Sequence, residues 1–167
     1  MTFKAILVGS PVPDVRFGCL DGEEIRSIAA ADIFLKHHAV VVGVPGAFTP
    51  ICTRQHIPEF VQNAEKLHKS GYTKLICVAP NDPFVLAEWA RVVDPEKKLT
   101  FLSDGNLNFC RALGLVTVNE TLFLGSRSER YLLIVRKGII NRVRVEPNIL
   151  RLSCTRPSAA LAEVVEI

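Results

Sequence analysis

The run AVVVGV, residues 39–44, has no charged or polar side chain and stops at Pro45-Gly46. β-Branched side chains suit a pleated strand better than a helix, and a strand apolar on both faces has to be covered on both faces. A chain that contains one needs a layered fold, with a sheet in the middle and packed elements on either side. Similar runs recur at residues 75–78 and, shorter, at 99–102 and 121–124. Residues 131–135 and 139–145 flank Lys137-Gly138, a pattern that predicts a β-hairpin.

Between these runs the apolar spacing changes from strand to helix. Ile57, Phe60, Val61, Ala64 and Leu67 recur at three- and four-residue steps until Gly71, which predicts one amphipathic helix. Asp82-Pro83 supplies an N-cap and a first-position proline for a second, carrying Phe84, Val85, Trp89, Val92 and Val93. Residues 106–113, closed by Gly114, form a short third, and residues 156–166 a last one. Helices alternating with buried strands, then a hairpin and a helix, predict an α/β chain of thioredoxin-like order, with a mixed central β-sheet flanked by helices.

The 167 residues read as one domain over 1–167, long enough to bury roughly two-thirds of the unfolded surface in one core. Hydrophobic residues make up 49% and the mean hydropathy is +0.25, which leaves apolar surface for a partner subunit. The longest uncharged apolar stretch, 39–48, is far short of a bilayer span, so no membrane is expected as a partner. A net charge of +3 from 20 basic and 17 acidic residues, scattered along the chain, argues against nucleic acid. MTFKAILVGSPVPDV is a poor secretory signal, so a cytoplasmic location is expected, with an organelle as the alternative.

Five cysteines, Cys19, Cys52, Cys77, Cys110 and Cys154, occur with no CxxC, no Cys/His knuckle and no HExxH. Neither a metal site nor a thioredoxin-type dithiol is expected, and any special cysteine must be special through its surroundings. His37 and His38 are adjacent and point in different directions, so they cannot chelate together. Cys52 has the surroundings. Thr49-Pro50 reads as N-cap and first helical position, which makes Cys52 the third residue of a helix that starts where the buried strand ends. There a thiol meets unpaired backbone N–H groups and the positive end of the helix dipole, both of which favour the thiolate. Ligands of α/β sheets usually sit beyond such strand ends. The plainer alternative is a small buried hydrophobe beside a cap with no chemistry, and this reading leads for Cys19, Cys77 and Cys110. His56 shares a helix face with Cys52, either as a group supporting it or, more simply, as a satisfied polar residue.

PGAFTPIC carries the pattern Pro-x-x-x-Thr-x-x-Cys (Pro45, Thr49, Cys52), and with the His-x-Pro-x-Phe that follows it resembles the peroxiredoxins, in particular the peroxiredoxin 5 or type II subfamily. The likeness continues through VAPNDPFVLAEWA, FLSDGN, SERYLLIVRKG and the VEP and LSC of residues 145–154, most of the chain. It implies a thiol peroxidase that reduces hydrogen peroxide and alkyl hydroperoxides with no metal or prosthetic group. Cys52 would be the peroxidatic cysteine, Thr49 would hydrogen-bond the thiolate and the incoming peroxide, and Pro45 would shield the pocket. Arg130, by its place in SERY, would complete the site; residue type alone does not separate it from Arg127 or Arg136. Cys154 resembles the resolving cysteine that closes an internal disulfide. Cys77 has the type II spacing but an apolar strand context, and an external thiol is a further alternative. The chain departs from the pattern at Glu59, where glycine is usual, and at residues 148–151, NILR, where the subfamily has a Gly-rich loop. The first is expected to change the pocket rim, the second to restrain Cys154. A thiol reductant (thioredoxin, glutaredoxin with glutathione, or a similar thiol) and a homodimer are implied. Absence of CxxC argues against a thiol–disulfide oxidoreductase or redox sensor. The joint presence of Pro45, Thr49, Cys52 and Arg130 argues against a silent binding module.

Overall fold

The computed structural model describes residues 8–163. Its strands are β1 (Arg16–Asp21), β2 (Glu24–Ala29), β3 (His38–Gly43), β4 (Lys74–Ala79), β5 (Thr100–Ser103), β6 (Val116–Asn119), β7 (Gly125–Ser128), β8 (Tyr131–Arg136) and β9 (Ile139–Val145). Its helices are α1 (Ala30–Phe34), α2 (Ile57–Lys69), α3 (Pro83–Val93), α4 (Asn108–Leu113) and α5 (Pro157–Leu161). Seven strands form one mixed sheet in the order β2-β1-β5-β4-β3-β8-β9, and β6 pairs with β7 in a separate hairpin. β4 is the central strand and β3 lies beside it, parallel to β4 and antiparallel to β8.

Period-two burial divides the core into two layers. Val40 and Val42 of β3, with Leu132 and Ile134 of β8, pack among Phe60, Leu67 and Trp89 from α2 and α3. Ala39, Val41, Leu133 and Val135 point the other way, toward Phe34 of α1 and Phe109 and Leu113 of α4. Each face of the sheet is thus covered, as a strand apolar on both sides requires. The thioredoxin-like α/β arrangement is the observed one.

Several local signals act as expected. Asp82 caps α3, accepting from the backbone N–H groups of Phe84 (2.9 Å) and Val85 (3.0 Å). Lys137 and Gly138 both take positive φ, the geometry of a two-residue hairpin turn between β8 and β9. The run 121–124 is not a strand. It is the turn between β6 and β7, closed by Leu122 N–H donating to Asn119 Oδ1 (2.8 Å) and Leu124 N–H to the Asn119 carbonyl (3.0 Å). Phe123 there is 96% exposed, so its hydrophobicity bought no burial. The third helix starts at Asn108 rather than 106, where the Asp104 carboxylate accepts from Phe109 and Cys110 N–H. α5 ends at Leu161; positions 164–166 of the helix expected there, and residues 1–7 of the leader reading, lie outside the described residues. No helix among the described residues is long and apolar enough to cross a membrane.

Ahead of α2 the backbone is helical from Pro50, with Thr53 N–H donating to the Thr49 carbonyl (3.0 Å), and then widens into a π-helical turn at Cys52–His56. Ile57 N–H reaches back five residues to the Cys52 carbonyl. Pro58 is the cause: it has no N–H for the Arg54 carbonyl, and in a regular helix its ring would strike that carbonyl. One extra residue in the turn lets the helix run on through the proline.

Candidate active site

Three chain segments meet at one end of the sheet. Gly43, the last residue of β3, pairs with Tyr131, the first of β8, which pairs with Val145, the last of β9. The residues just outside these strand ends, Pro45, Arg130 and Glu146, therefore converge, and Glu146 N–H donates to the Arg130 carbonyl (2.9 Å). The helix that begins at Pro50 brings Cys52 to the same place, fully buried.

Arg130 is also buried, 2% exposed, and its guanidinium joins the pieces. Nη1 donates to Cys52 Sγ at 3.2 Å and to His56 Nδ1 at 3.1 Å, and Nη2 donates to the Ile149 carbonyl at 2.9 Å. Nε is buried without a partner. A guanidinium only donates, so His56 Nδ1 accepts, and the imidazole proton sits on Nε2, which donates to the Thr155 carbonyl at 2.8 Å. Burial, opposed by the bond to Thr155 and reinforced by the Arg130 charge, holds His56 down to about 3, so the ring is neutral at physiological pH. The site thus keeps one fixed positive charge beside sulfur, available to negative charge that develops there.

On one side of Cys52 the turn between β3 and the helix is held by its neighbours. Ser128 Oγ donates to the Val44 carbonyl (2.9 Å), Arg127 Nη1 to the Pro45 carbonyl (3.3 Å), and Ala47 N–H to Asn81 Oδ1 (2.8 Å). Gly46 leaves room for Arg127, since a Cβ there would lie 2.6 Å from Nη1. Phe48 takes a left-handed φ of 61° and turns outward, 54% exposed. Thr49 is half-buried and does not cap the helix through its side chain. Its hydroxyl donates to the Gly46 carbonyl at 2.6 Å, which leaves only lone pairs free.

On the other side runs the segment 146–156. The Glu146 carboxylate is buried and accepts four bonds: Oε1 from Ser153 N–H (2.8 Å), Thr155 N–H (2.9 Å) and Thr155 Oγ1 (2.8 Å), Oε2 from Ser153 Oγ (2.7 Å). Burial alone would raise this carboxyl, but these donors outweigh it and hold Glu146 down to about 2. Arg156 pairs with Glu59 of α2 and donates to the Leu152 carbonyl (3.3 Å). Cys154 lies between the two Glu146 donors, half-buried, with Sγ donating to the Val145 carbonyl (3.4 Å). Burial and the Glu146 charge raise its thiol pKa.

Of the expected site residues, the structure brings Cys52, Arg130 and His56 into direct contact and sets Pro45 and Thr49 in the adjoining turn. Arg127 braces Pro45 instead of sulfur, and Arg136 is at the far end of β8, opposite His38. Cys52 and Cys154 are both free thiols. Cys77 is fully buried in β4, in the same core layer as Cys52, and burial pushes its thiol well up; Cys110 is pushed up to about 12 for the same reason. Sequence reasoning missed Glu146, whose bonds lie in an irregular segment without periodicity, Thr155, whose contact with His56 is remote in sequence, and the π-helical turn, for which Pro58 inside a helical pattern was the available signal. Among the described residues no cluster of His, Cys, Asp and Glu could hold a metal ion.

The family described as Redoxin matches residues 7–161. Peroxiredoxin-2C of Oryza sativa subsp. japonica is 38% identical over 130 residues, 77% of this chain and 80% of that protein. Reduced Prx3 from Vibrio vulnificus in complex with H2O2 superposes with a TM-score of 0.87 at 30% identity, covering 94% of each chain. Peroxiredoxin 5 from Alvinella pompejana gives 0.83 at 33% identity, over 94% of this chain and 96% of that one.

Proposed function

The chain belongs to the Redoxin family as a peroxiredoxin of the type II or peroxiredoxin 5 kind, a thiol-dependent peroxidase, and from that premise we propose that Cys52 is its peroxidatic cysteine, served by Arg130, Thr49 and Pro45. The observation that carries this reading is the guanidinium of Arg130, 3.2 Å from a sulfur buried in the first turn of a helix.

Cys52 sulfur attacks one peroxide oxygen. The S–O bond forms as the O–O bond breaks, sulfur gives up two electrons to become a sulfenic acid, and the departing oxygen takes a proton and leaves as water or alcohol. Negative charge grows on that oxygen, so fixed donors aimed at it accelerate the step. Arg130 Nε–H, which has no protein partner, is free for this role. Thr49, with its hydrogen committed to Gly46, acts as acceptor for the peroxide O–H and so aligns the O–O bond with sulfur. Neutral His56 accepts from Arg130 and holds the guanidinium on sulfur.

For the return half, Cys154 attacks the sulfenic sulfur: an S–S bond forms, the S–O bond breaks, and hydroxide leaves as water. A thiol reductant then restores both cysteines, with thioredoxin and glutaredoxin/glutathione as the two candidates. We read residues 1–167 as one domain and the location as cytoplasmic. A homodimer is proposed from the exposed Phe48 of the Pro45 turn and the exposed Phe84 and Phe123, apolar surface that a second copy would cover. Peroxide consumption with dithiothreitol tests the assignment. Wild type turns over and Cys52→Ser does not; a Cys52→Ser enzyme with normal rates overturns it. Non-reducing peptide mass spectrometry after one equivalent of peroxide tests the resolver. A Cys52–Cys154 disulfide is expected, and a Cys52–Cys77 link or a persistent sulfenic acid refutes it.

A further inference from the structure

Cys154 is tied down on both flanks by acidic side chains, Glu146 just past β9 and Glu59 of α2. On its N-terminal side Ser153 gives Glu146 a backbone and a hydroxyl bond, and on its C-terminal side Thr155 gives two more. One residue further on, Arg156 pairs with Glu59 of α2. The thiol itself donates to the Val145 carbonyl and is not bonded to Cys52. The same segment is also part of the reacting site, because the Thr155 carbonyl takes the His56 proton and the Ile149 carbonyl takes Arg130 Nη2.

We infer that Glu146 is a positioning residue that latches the Cys154 segment shut, with Glu59–Arg156 as a second fastening, so that one carboxylate supports the Cys52–Arg130–His56 contacts and withholds Cys154 until the segment lifts. While the latch is closed, Thr155 seats His56, His56 and Ile149 seat Arg130, and Arg130 faces Cys52. A thiol whose hydrogen bond goes to the Val145 carbonyl has to give up that bond before its sulfur can join Cys52. Lifting breaks the Glu146 bonds, which are charge-assisted and close in a buried setting, and charge-assisted bonds are roughly twice as strong as neutral ones. The groups facing this carboxylate are the Ser153 and Thr155 donors, with His56 beyond the Thr155 carbonyl and Arg130 beneath its own backbone; Arg156 and Glu59 close the far side. The latch gives Glu146 an influence on two steps that a purely structural carboxylate would not separate: it favours peroxide reduction and delays resolution.

This inference deepens the reading of Cys154 as resolver, and its main test does not depend on that reading. In Cys52→Ser chains, the rate of iodoacetamide labelling at each remaining cysteine is followed by peptide mass spectrometry. Adding Glu146→Ala is expected to speed labelling of Cys154 at least about tenfold, while Cys77 and Cys110 stay protected. Glu146→Gln removes the charge near Cys154 but keeps an oxygen where Oε1 accepts three bonds, so it combines the effect of charge on the thiol with a weakened latch, and alanine, which removes all four bonds, is expected to exceed it. The excess of the alanine variant over glutamine reports the latch. Glu59→Ala, which is on α2 and leaves Glu146 in place, is expected to give a smaller rise of about threefold, the scale of a single half-buried ion pair near the surface. An alanine rate equal to the glutamine rate, or equal labelling of Cys77 and Cys110, overturns the latch. The resolver is judged separately in chains with Cys52 intact. If wild type forms no Cys52–Cys154 disulfide while Glu146→Ala unlatches Cys154 in the labelling assay, the resolver fails and the latch stands. If disulfide forms at one rate in wild type and Glu146→Ala, the resolver stands and the latch is refuted.

Discussion

The two walls around Cys52 are built from different materials. The turn from Val44 to Thr49 is held by Ser128, Asn81 and Arg127, all on the body of the fold and all bonded to its backbone. The wall from Glu146 to Arg156 is held through ionised or titratable side chains, Glu146, His56 and the Arg156–Glu59 pair. Bonds to a neutral backbone from neighbouring strands keep their strength across pH and have no reason to open. Bonds that depend on a carboxylate or on a neutral imidazole are weakened or lost when one proton arrives. A thiol peroxidase needs both kinds: a fixed surface to align a peroxide, and a segment that can move afterwards to deliver a second thiol.

Arg130 touches the sulfur and the movable wall at once, so its removal should produce the largest effect. Arg130→Gln is expected to slow the reaction with peroxide by about 10²–10³-fold, the scale of losing a preorganised donor to a developing anion. Stopped-flow measurement of peroxide reduction checks this. A loss under threefold would move the charge-stabilising role away from Arg130 and leave the comparison of the walls without its bridge.

How much of each wall could be read in advance follows the same division. The fixed turn is local: Pro45-Gly46, Thr49-Pro50 and Cys52 fall within eight residues, and a strand ending at a proline and a helix starting at one suffice to place the thiol. The same is true of the Asp82-Pro83 cap and the Lys137-Gly138 hairpin. The movable wall is assembled from residues far apart in the chain, His56 with Thr155 and Glu59 with Arg156, and no periodicity in the sequence reports such pairs. Arg127, Arg130 and Arg136 are alike in type; which one reaches sulfur depends on the strand pairing that sets Tyr131 opposite Gly43. Strands β1 and β2 were not anticipated because β2 is largely exposed and carries Glu24, Arg26 and Ser27 rather than an apolar face. The helix at Cys52 was anticipated with Thr49 as its cap; Thr49 does stand at the helix start, but its side chain bonds Gly46 instead of capping the helix.

Acid should discriminate between the walls. His56 is held to about 3 in the folded protein against 6.5 unfolded, so below pH 6.5 the unfolded chain binds a proton that the folded one refuses. The stability this group contributes is complete above pH 6.5 and is lost as pH falls toward 3. Glu146, lowered from 4.5 to about 2, adds a loss of the same sign below pH 4.5. Asp104 and Glu129, both raised by burial, act in the opposite sense and lie outside this wall. Urea unfolding at pH 7.5 and pH 5 should therefore show a decrease of about 2 kcal/mol from His56, at 1.36 kcal/mol per pH unit for one proton. His56→Asn should flatten the difference. Equal slopes for wild type and His56→Asn would show that the imidazole does not carry the pH sensitivity of this wall.

The smallest expected effect tests the fixed wall at its tightest point. Gly46 does not use the left-handed region, so alanine is allowed by the backbone, and the atoms nearest to its Cβ would be Arg127 Nη1 at 2.6 Å and Thr49 Cγ2 at 3.2 Å. The arginine end is flexible and will yield, giving up its bond to the Pro45 carbonyl, while the fold should lose less than about 1 kcal/mol. Peroxide kcat/KM is expected to fall by about three- to tenfold, the worth of one hydrogen bond that keeps the turn in place. Arg127→Ala should cost a similar amount, because it breaks the same bond from the other end. If that shared bond is what matters, the double variant will be little worse than either single one, and Cys154 labelling will be unchanged in all three, since Arg127 makes no bond to the movable wall. Additive losses would mean that Gly46 and Arg127 act on Pro45 independently. A Gly46→Ala loss far above that of Arg127→Ala would instead assign the effect to Thr49, whose methyl group is the next atom the new side chain meets.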